Sequence, residues 1–221
     1  EEPNAIVQVG NDASMTEPNT RATEIELYEG LEASSQNCWP SVNFDIGAIN
    51  NFFNKFLPAG FYYKTFMWPK SFWYKIYEPF IRKAAGLGVA SVAKDRERYE
   101  HKFEYCDLLV TGSGPAGLSS AYAAAKSGAK VILAEDKHRF GGSLLMDDVS
   151  IDNLSGKDWA DKIISELKEM PNVTVKNRSQ VFGYYDHNML VMFERVGDHL
   201  EKKSEFTPRQ RLWYIRCKEV I

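Results

Sequence analysis

Cysteine is scarce in this 221-residue chain, and its three copies, Cys38, Cys106 and Cys217, stand far apart with no C-x-x-C pair. That spacing argues against a disulfide framework and against a zinc or iron–sulfur site, and it fits a reducing cytoplasm. Cys106 and Cys217 read as small core residues, the first opening a strand and the second within a late one. Histidine is also sparse. His101, His138, His187 and His199 lie in charged or turn sequence, with no His–carboxylate or Ser–His arrangement for catalysis, and read as surface residues. A formal net charge of −3 gives no electrostatic footprint for nucleic acid or anionic lipid. No signal peptide and no membrane-spanning apolar run is expected. The chain opens Glu1-Glu2-Pro3 without methionine and stops at Glu219-Val220-Ile221, partway along an apolar strand; a piece of a longer polypeptide is expected.

What the chain does carry is Leu108-Leu109-Val110-Thr111-Gly112-Ser113-Gly114-Pro115-Ala116-Gly117, an apolar strand running into a G-x-G-x-x-G turn and a helix. Gly112 permits the tight turn, Gly114 lets a pyrophosphate approach the backbone, and Gly117 lets the helix pack close to the strand. Pro115 suits the first helical turn, where a missing N–H costs nothing. The free N–H groups there, from Ala116 onward, face an anion. The helix predicted over Ala116–Ser127 stops at Gly128, and Lys130–Ala134 reads as a second buried parallel strand. Glu135 follows at its carboxyl end, where a carboxylate accepts both ribose hydroxyls of an adenosine. Gly141-Gly142-Ser143 then brings backbone amides back over the cofactor. Glu135 repels a 2′-phosphate, which favours NAD or FAD over NADP. Lys137, His138 and Arg139 are either a phosphate cradle or a solvated edge, and Ser143 is either a pyrophosphate donor or a cap or turn residue.

Further along, Lys157–Met170 is predicted helical, with Ser155 and Asp158 as a capping box and Trp159, Ile163 and Leu167 on one stripe. Val173–Val175 reads as a third parallel strand. Gln180–Tyr185, Met189–Val196 and Arg211–Cys217 read as an antiparallel meander, turning first at Asp186-His187-Asn188. The expected fold class is therefore α/β: a Rossmann-like domain of the two-dinucleotide flavoprotein type, over residues 101–221. In that layout Val181 either borders the adenine or is simply a buried strand residue. Residues 1–35 read as two paired strands, Ala5–Val9 and Ala22–Tyr28. Residues 36–100 read as an aromatic-rich connector, with Phe53, Phe56, Phe61, Tyr62 and Tyr63 among its rings and a helical, then charged, stretch from Arg82 to about Glu104. Its prolines break it up, and its few basic residues favour packing onto other domains or subunits over stacking on nucleic acid or a membrane.

The segments Glu1–Ala5, Thr16–Thr23, Pro58–Phe66 and Ala84–Gly88, with the glycine motif, resemble the alpha subunits of heterotetrameric sarcosine oxidases along essentially the whole chain. The resemblance implies an oxidase turning sarcosine into glycine and hydrogen peroxide, with the methyl carbon passed to tetrahydrofolate. It implies beta, gamma and delta partner subunits, FAD and FMN held with the beta subunit, and a tetrahydrofolate-binding portion beyond Ile221. It implies a ferredoxin-like origin for residues 1–35. On this chain it implies an NAD site at Gly112, Gly114, Ala116, Gly117, Glu135 and Gly142, with Asp136, Lys137, Ser143 and Val181 as added contacts. No catalytic residue and no metal ligand is expected here: the chain binds and scaffolds. Two alternatives stay open: a related amine, proline or opine dehydrogenase subunit holding FAD or another adenine nucleotide, and an assembly module whose nucleotide site is vestigial.

Overall fold

The computed structural model describes residues 6–10, 16–36, 38–49, 52, 60, 65–200 and 204–221. The chain divides into two compact units, Glu1–Arg96 and Glu97–Ile221. Glu1–Ala5, most of Pro58–Phe66, and Phe53, Phe56, Phe61, Tyr62 and Tyr63 lie outside the described residues.

In the first unit, β1 (Ile6–Val9) is the middle strand of a three-stranded antiparallel sheet, between β2 (Glu17–Arg21) and β3 (Ala33–Ser35). The strand expected at Ala22–Tyr28 is not formed. The partner of β1 is the preceding stretch, whose Pro18 is tolerated because β2 is an edge. Ala22–Glu24 is a 3-10 turn, and Leu27 is exposed. A small hairpin pairs β4 (Pro40–Ser41) with β5 (Phe44–Asp45), and Asp45 Oδ1 accepts the N–H groups of Trp39 and Gly47, both at 2.9 Å. The helix expected from Arg82 begins earlier: α1 is Glu78–Ala84, with Pro79 in its first turn and an Arg82–Glu78 ion pair at 2.8 Å. It stops where Gly86 adopts φ +72°. Trp39, Phe44, Phe52, Trp68, Tyr74 and Phe80 of the aromatic segment are exposed.

The second unit is built on one six-stranded sheet. Its strands are β6 (Tyr99–Thr111), β7 (Val131–Ala134), β10 (Val173–Lys176), β11 (Ser179–Tyr185), β12 (Met189–Arg195) and β13 (Gln210–Val220), in the order β10-β7-β6-β13-β12-β11. A two-stranded ribbon, β8 (Ser150–Ile151) and β9 (Leu154–Ser155), stands apart. The expected parallel sheet and antiparallel meander are continuous, because β13 closes the meander against β12 and also runs parallel to β6. Contrary to expectation, β6 does not open at Cys106. It begins at Tyr99, in sequence read as the end of a helical, charged stretch, and that first half is held by the ladder to β13.

Two helices cover one face of the sheet: α2 (Pro115–Lys126) and α3 (Gly156–Glu169). The first ends at Gly128, φ +88°, whose N–H donates to Ala125 while Ala129 N–H reaches back to Ala124, a common helix stop. The second is capped by Ser155, whose hydroxyl accepts from Asp158 N–H at 3.1 Å and donates to the Asp158 carboxylate at 2.6 Å. Trp159, Ile163 and Leu167 pack with Leu118, Ala121, Val110 and Leu133 in this layer. On the other face Leu109, Ile132 and Ala134 form one buried cluster with Leu190, Met192 and Ile215, so the parallel strands and the meander share a core there. Cys106 and Cys217, opposite each other on β6 and β13, are buried there, and burial pushes the Cys106 thiol up to about 12 and the Cys217 thiol up as well. Glu194 accepts Trp213 Nε1–H at 2.6 Å and pairs with Arg211 and Lys176, tying the meander to β10. His101, His138 and His187 are exposed, whereas His199 is half-buried.

Candidate functional site

The glycine turn lies where β6 ends. Gly112 adopts φ +106°, a conformation only glycine takes readily, and its N–H donates to the Ala134 carbonyl at 2.7 Å. The other two glycines answer different demands. A Cβ on Gly117 would lie 2.0 Å from the Gly112 carbonyl oxygen, so this residue is small because α2 crosses the turn closely. A Cβ on Gly114 would meet nothing within 4 Å, and the residue sits at φ −67°, ψ −179°, open to any L side chain. The fold does not need glycine there. A ligand pressed against the backbone would. Pro115 and Ala116 follow, exposed in the first turn of α2, whose leading N–H groups have no intrahelical acceptor.

Glu135 follows directly on β7. It is only 6% exposed, and its carboxylate turns toward the glycine turn. Oε2 accepts both the N–H (2.9 Å) and the hydroxyl of Ser113, and Oε1 accepts Lys137 N–H at 3.0 Å. A carboxylate has about four lone-pair sites, so roughly one remains. The expectation that Glu135 takes both ribose hydroxyls is therefore too generous: the protein itself uses most of the acceptor capacity. Asp136, half-buried, is the next acceptor along. Burial works to raise its carboxyl, but hydrogen bonding with Glu135 and the cations Lys137 and Arg195 outweigh it and hold it below the ordinary value. Lys137 Nζ lies 3.3 Å from the Asp136 carboxylate, on an exposed side chain.

The turn between β10 and β11 wraps this segment. Ser179 N–H donates to the Glu135 carbonyl at 2.7 Å, Arg178 N–H to Lys137 at 2.9 Å, and Asn177 Nδ2 to His138 at 2.8 Å. These bonds bring Val181 beside Asp136 and leave a cleft of about 250 Å³ lined by Thr111, Gly112, Ala134, Asp136, Ser179, Gln180 and Val181. Val181 is half-buried, at the point where the β11–β12 register shifts, so it is neither a core residue nor fully free.

The Gly141-Gly142 loop closes over the turn from the other side. Gly141 and Gly142 take φ +125° and +55°, and a Cβ on Gly142 would lie 3.0 Å from the Gly114 Cα. Ser143 is exposed on the first turn of the 3-10 helix Gly142–Leu145, where its carbonyl accepts from Met146 and Asp147. Sequence reasoning passed over Ser113, which is wholly buried at the centre of the arrangement. The only available signal was a hydroxyl residue between two glycines. Among the described residues no group of His, Cys, Asp and Glu could hold a metal ion, and no helix is long and apolar enough to cross a membrane.

An adenine dinucleotide fits what these residues offer: backbone bared at Gly114, main-chain N–H groups at the start of α2, one acceptor on Glu135 and another on Asp136, and a cleft reaching Val181. The family model described as FAD dependent oxidoreductase matches residues 107–191. Sarcosine oxidase subunit alpha of Rhizobium meliloti is 53% identical over 97% of this chain, which spans 22% of that protein. Sarcosine oxidase subunit alpha of Corynebacterium sp. strain U-96 is 37% identical over 62% of this chain and 14% of its own length. Among solved structures, L-proline dehydrogenase from P. horikoshii aligns with a TM-score of 0.42 at 19% identity, covering 61% of this chain and 28% of that one.

Proposed function

We propose, for a chain similar over 97% of its residues to the sarcosine oxidase alpha subunit of Rhizobium meliloti, that residues 97–221 form a site for NAD and that the chain binds and scaffolds without catalysing. One observation carries the reading most: Gly114 is bare toward open space while Gly117 and Gly142 are glycines for packing reasons. Fold stability accounts for two of these three positions. A bound pyrophosphate accounts for the third.

In this reading Gly112 and Gly114 cradle the pyrophosphate with Ala116 and Gly117 N–H groups behind it, and Pro115 presets the helix start. Gly141, Gly142 and Ser143 close the far side. Glu135 accepts one ribose hydroxyl, Asp136 takes a second hydrogen bond with Lys137 held close by, and Val181 borders the base. When bound, the dinucleotide would supply a nicotinamide able to carry hydride; this chain's own residues only hold and orient it. The whole protein would act in the oxidation of sarcosine to glycine with hydrogen peroxide and methylenetetrahydrofolate as products. FAD and FMN would lie with a beta subunit, tetrahydrofolate with further alpha-chain sequence, and gamma and delta subunits would complete a cytoplasmic heterotetramer.

A second reading places FAD in the same cleft, as in a related amine, proline or opine dehydrogenase subunit. The match to a family described by FAD favours it. Mass spectrometry of the ligand released on denaturation decides between them. NAD is expected; yellow flavin absorbance from this chain alone would replace the first reading with the second. No released nucleotide, together with no measurable affinity for NAD or FAD, would leave an assembly module with a vestigial site.

A further inference from the structure

The geometry assigns Ser113 a positioning role: its hydroxyl is a latch joining the sugar-side carboxylate to the loop that closes over the glycine turn. The inference rests on the dinucleotide reading above. Ser113 is fully buried, donates its hydroxyl to Glu135 Oε2 and accepts Gly141 N–H at 3.0 Å. The directions are fixed by chemistry. The Gly141 amide can only donate, so it takes a lone pair of the Ser113 oxygen, and the single hydroxyl proton is left for Glu135. Three segments distant in sequence, the turn after β6, the end of β7 and the Gly141-Gly142 loop, therefore share one oxygen atom.

The two sides of the latch are not equally dependent on it. Without the hydroxyl, Glu135 keeps the N–H groups of Ser113 and Lys137, so the sugar-side acceptor stays in place. Gly141 N–H, by contrast, has Ser113 Oγ as its acceptor in a buried position, and an unpaired buried amide is costly. The loop that rests on Gly114 is thus the part released. Loss of the hydroxyl should weaken ligands that carry a pyrophosphate and spare those that carry only the nucleoside. A general loosening of the fold would weaken both alike.

The test uses the full 221-residue chain, titrated calorimetrically with adenosine, ADP and NAD, beside amide exchange of the free protein. Ser113→Ala should bind ADP and NAD about tenfold more weakly, one hydrogen bond's worth, with adenosine within twofold. Gly141 N–H should lose exchange protection in the free variant. Ser113→Cys, close in size but a weaker hydrogen-bonding group, should behave like the alanine variant if the bond matters and like the parent if only volume does. Gly142→Ala, whose Cβ would press within 3.0 Å of Gly114 Cα, should give the same split by another route. Equal losses for adenosine and ADP, or unchanged affinities with Gly141 still protected, would overturn the latch. A parent chain that binds none of the three ligands would instead overturn the dinucleotide reading, while Gly141 exchange in the variant still tests the hydrogen bond.

Discussion

Replacing Gly114 and Gly117 in turn by alanine separates what the turn does for the fold from what it does for a ligand. Each change adds one methyl group. At Gly117 that methyl would sit 2.0 Å from the Gly112 carbonyl oxygen, so α2 must move off the turn. Overpacking of this kind costs about 1–3 kcal/mol, which lowers the melting temperature by roughly 2–4 °C per kcal/mol in a chain of this size. At Gly114 the methyl meets nothing within 4 Å, and φ −67°, ψ −179° suits alanine. Reduced freedom of the unfolded chain stabilises by about 0.4–1 kcal/mol, and alanine's poorer N-cap preference offsets this by about 0.5–1 kcal/mol. The net change in stability is close to zero. Binding responds oppositely. The Gly114 methyl occupies the space proposed for the pyrophosphate, and the same overpacking range weakens NAD by about 5- to 150-fold. Thermal unfolding by circular dichroism and calorimetric titration with NAD read the two effects. A Gly114→Ala protein that binds NAD like the parent would refute the reasoning, whatever its stability.

Glu135→Ala removes a charged acceptor and is expected to cost about 1.5–3 kcal/mol of dinucleotide affinity; parental affinity in the same titration would remove Glu135 from the site. This variant should also unfold more easily, since Ser113 N–H and O–H both lose a buried acceptor. Ser155→Ala abolishes the cap of α3 and should destabilise by about 1 kcal/mol without touching NAD binding, as chemical denaturation would show. The Cys106 thiol is held neutral by burial, its pKa raised from 9.0 to about 12. The folded chain thus keeps a proton that the unfolded chain gives up. Stability from this group is whole below pH 9 and falls as pH rises toward about 12, so the denaturation midpoint should drop over that window. Cys106→Ala should lessen the drop, and in the folded parent Cys106 should resist alkylation near neutral pH.

Much of the second unit was legible because its signals are local. The turn glycines, the run of small residues in α2, the glycine stop at Gly128 and the Ser155–Asp158 cap each act within a few residues. Periodicity marked Trp159, Ile163 and Leu167 as one buried stripe, and they are buried. The position of Glu135 followed from counting along strand, helix and strand. Two misses share one cause. Tyr99–Glu104 reads as the end of a helical, charged stretch, yet it belongs to a long strand because β13 supplies its hydrogen bonds, and rings such as Phe103 and Tyr214 stack across that ladder at 5.0 Å. Ala22–Tyr28 alternates like a strand, yet among the described residues it joins no ladder, because β1 pairs with Glu17–Arg21 instead.

Local sequence by itself determined that a strand, a glycine turn, a helix and an acidic residue succeed one another, since dihedral preference, helix capping and hydrophobic period operate at short range. Tertiary structure alone decided how those parts are spent. It buried Ser113 and committed most of the Glu135 oxygens to the protein, left Gly114 bare while filling the space at Gly117, and laid Val181 and Asp136 along one cleft. Such outcomes depend on which distant groups reach a shared donor, acceptor or empty volume, and no spacing along the chain encodes that.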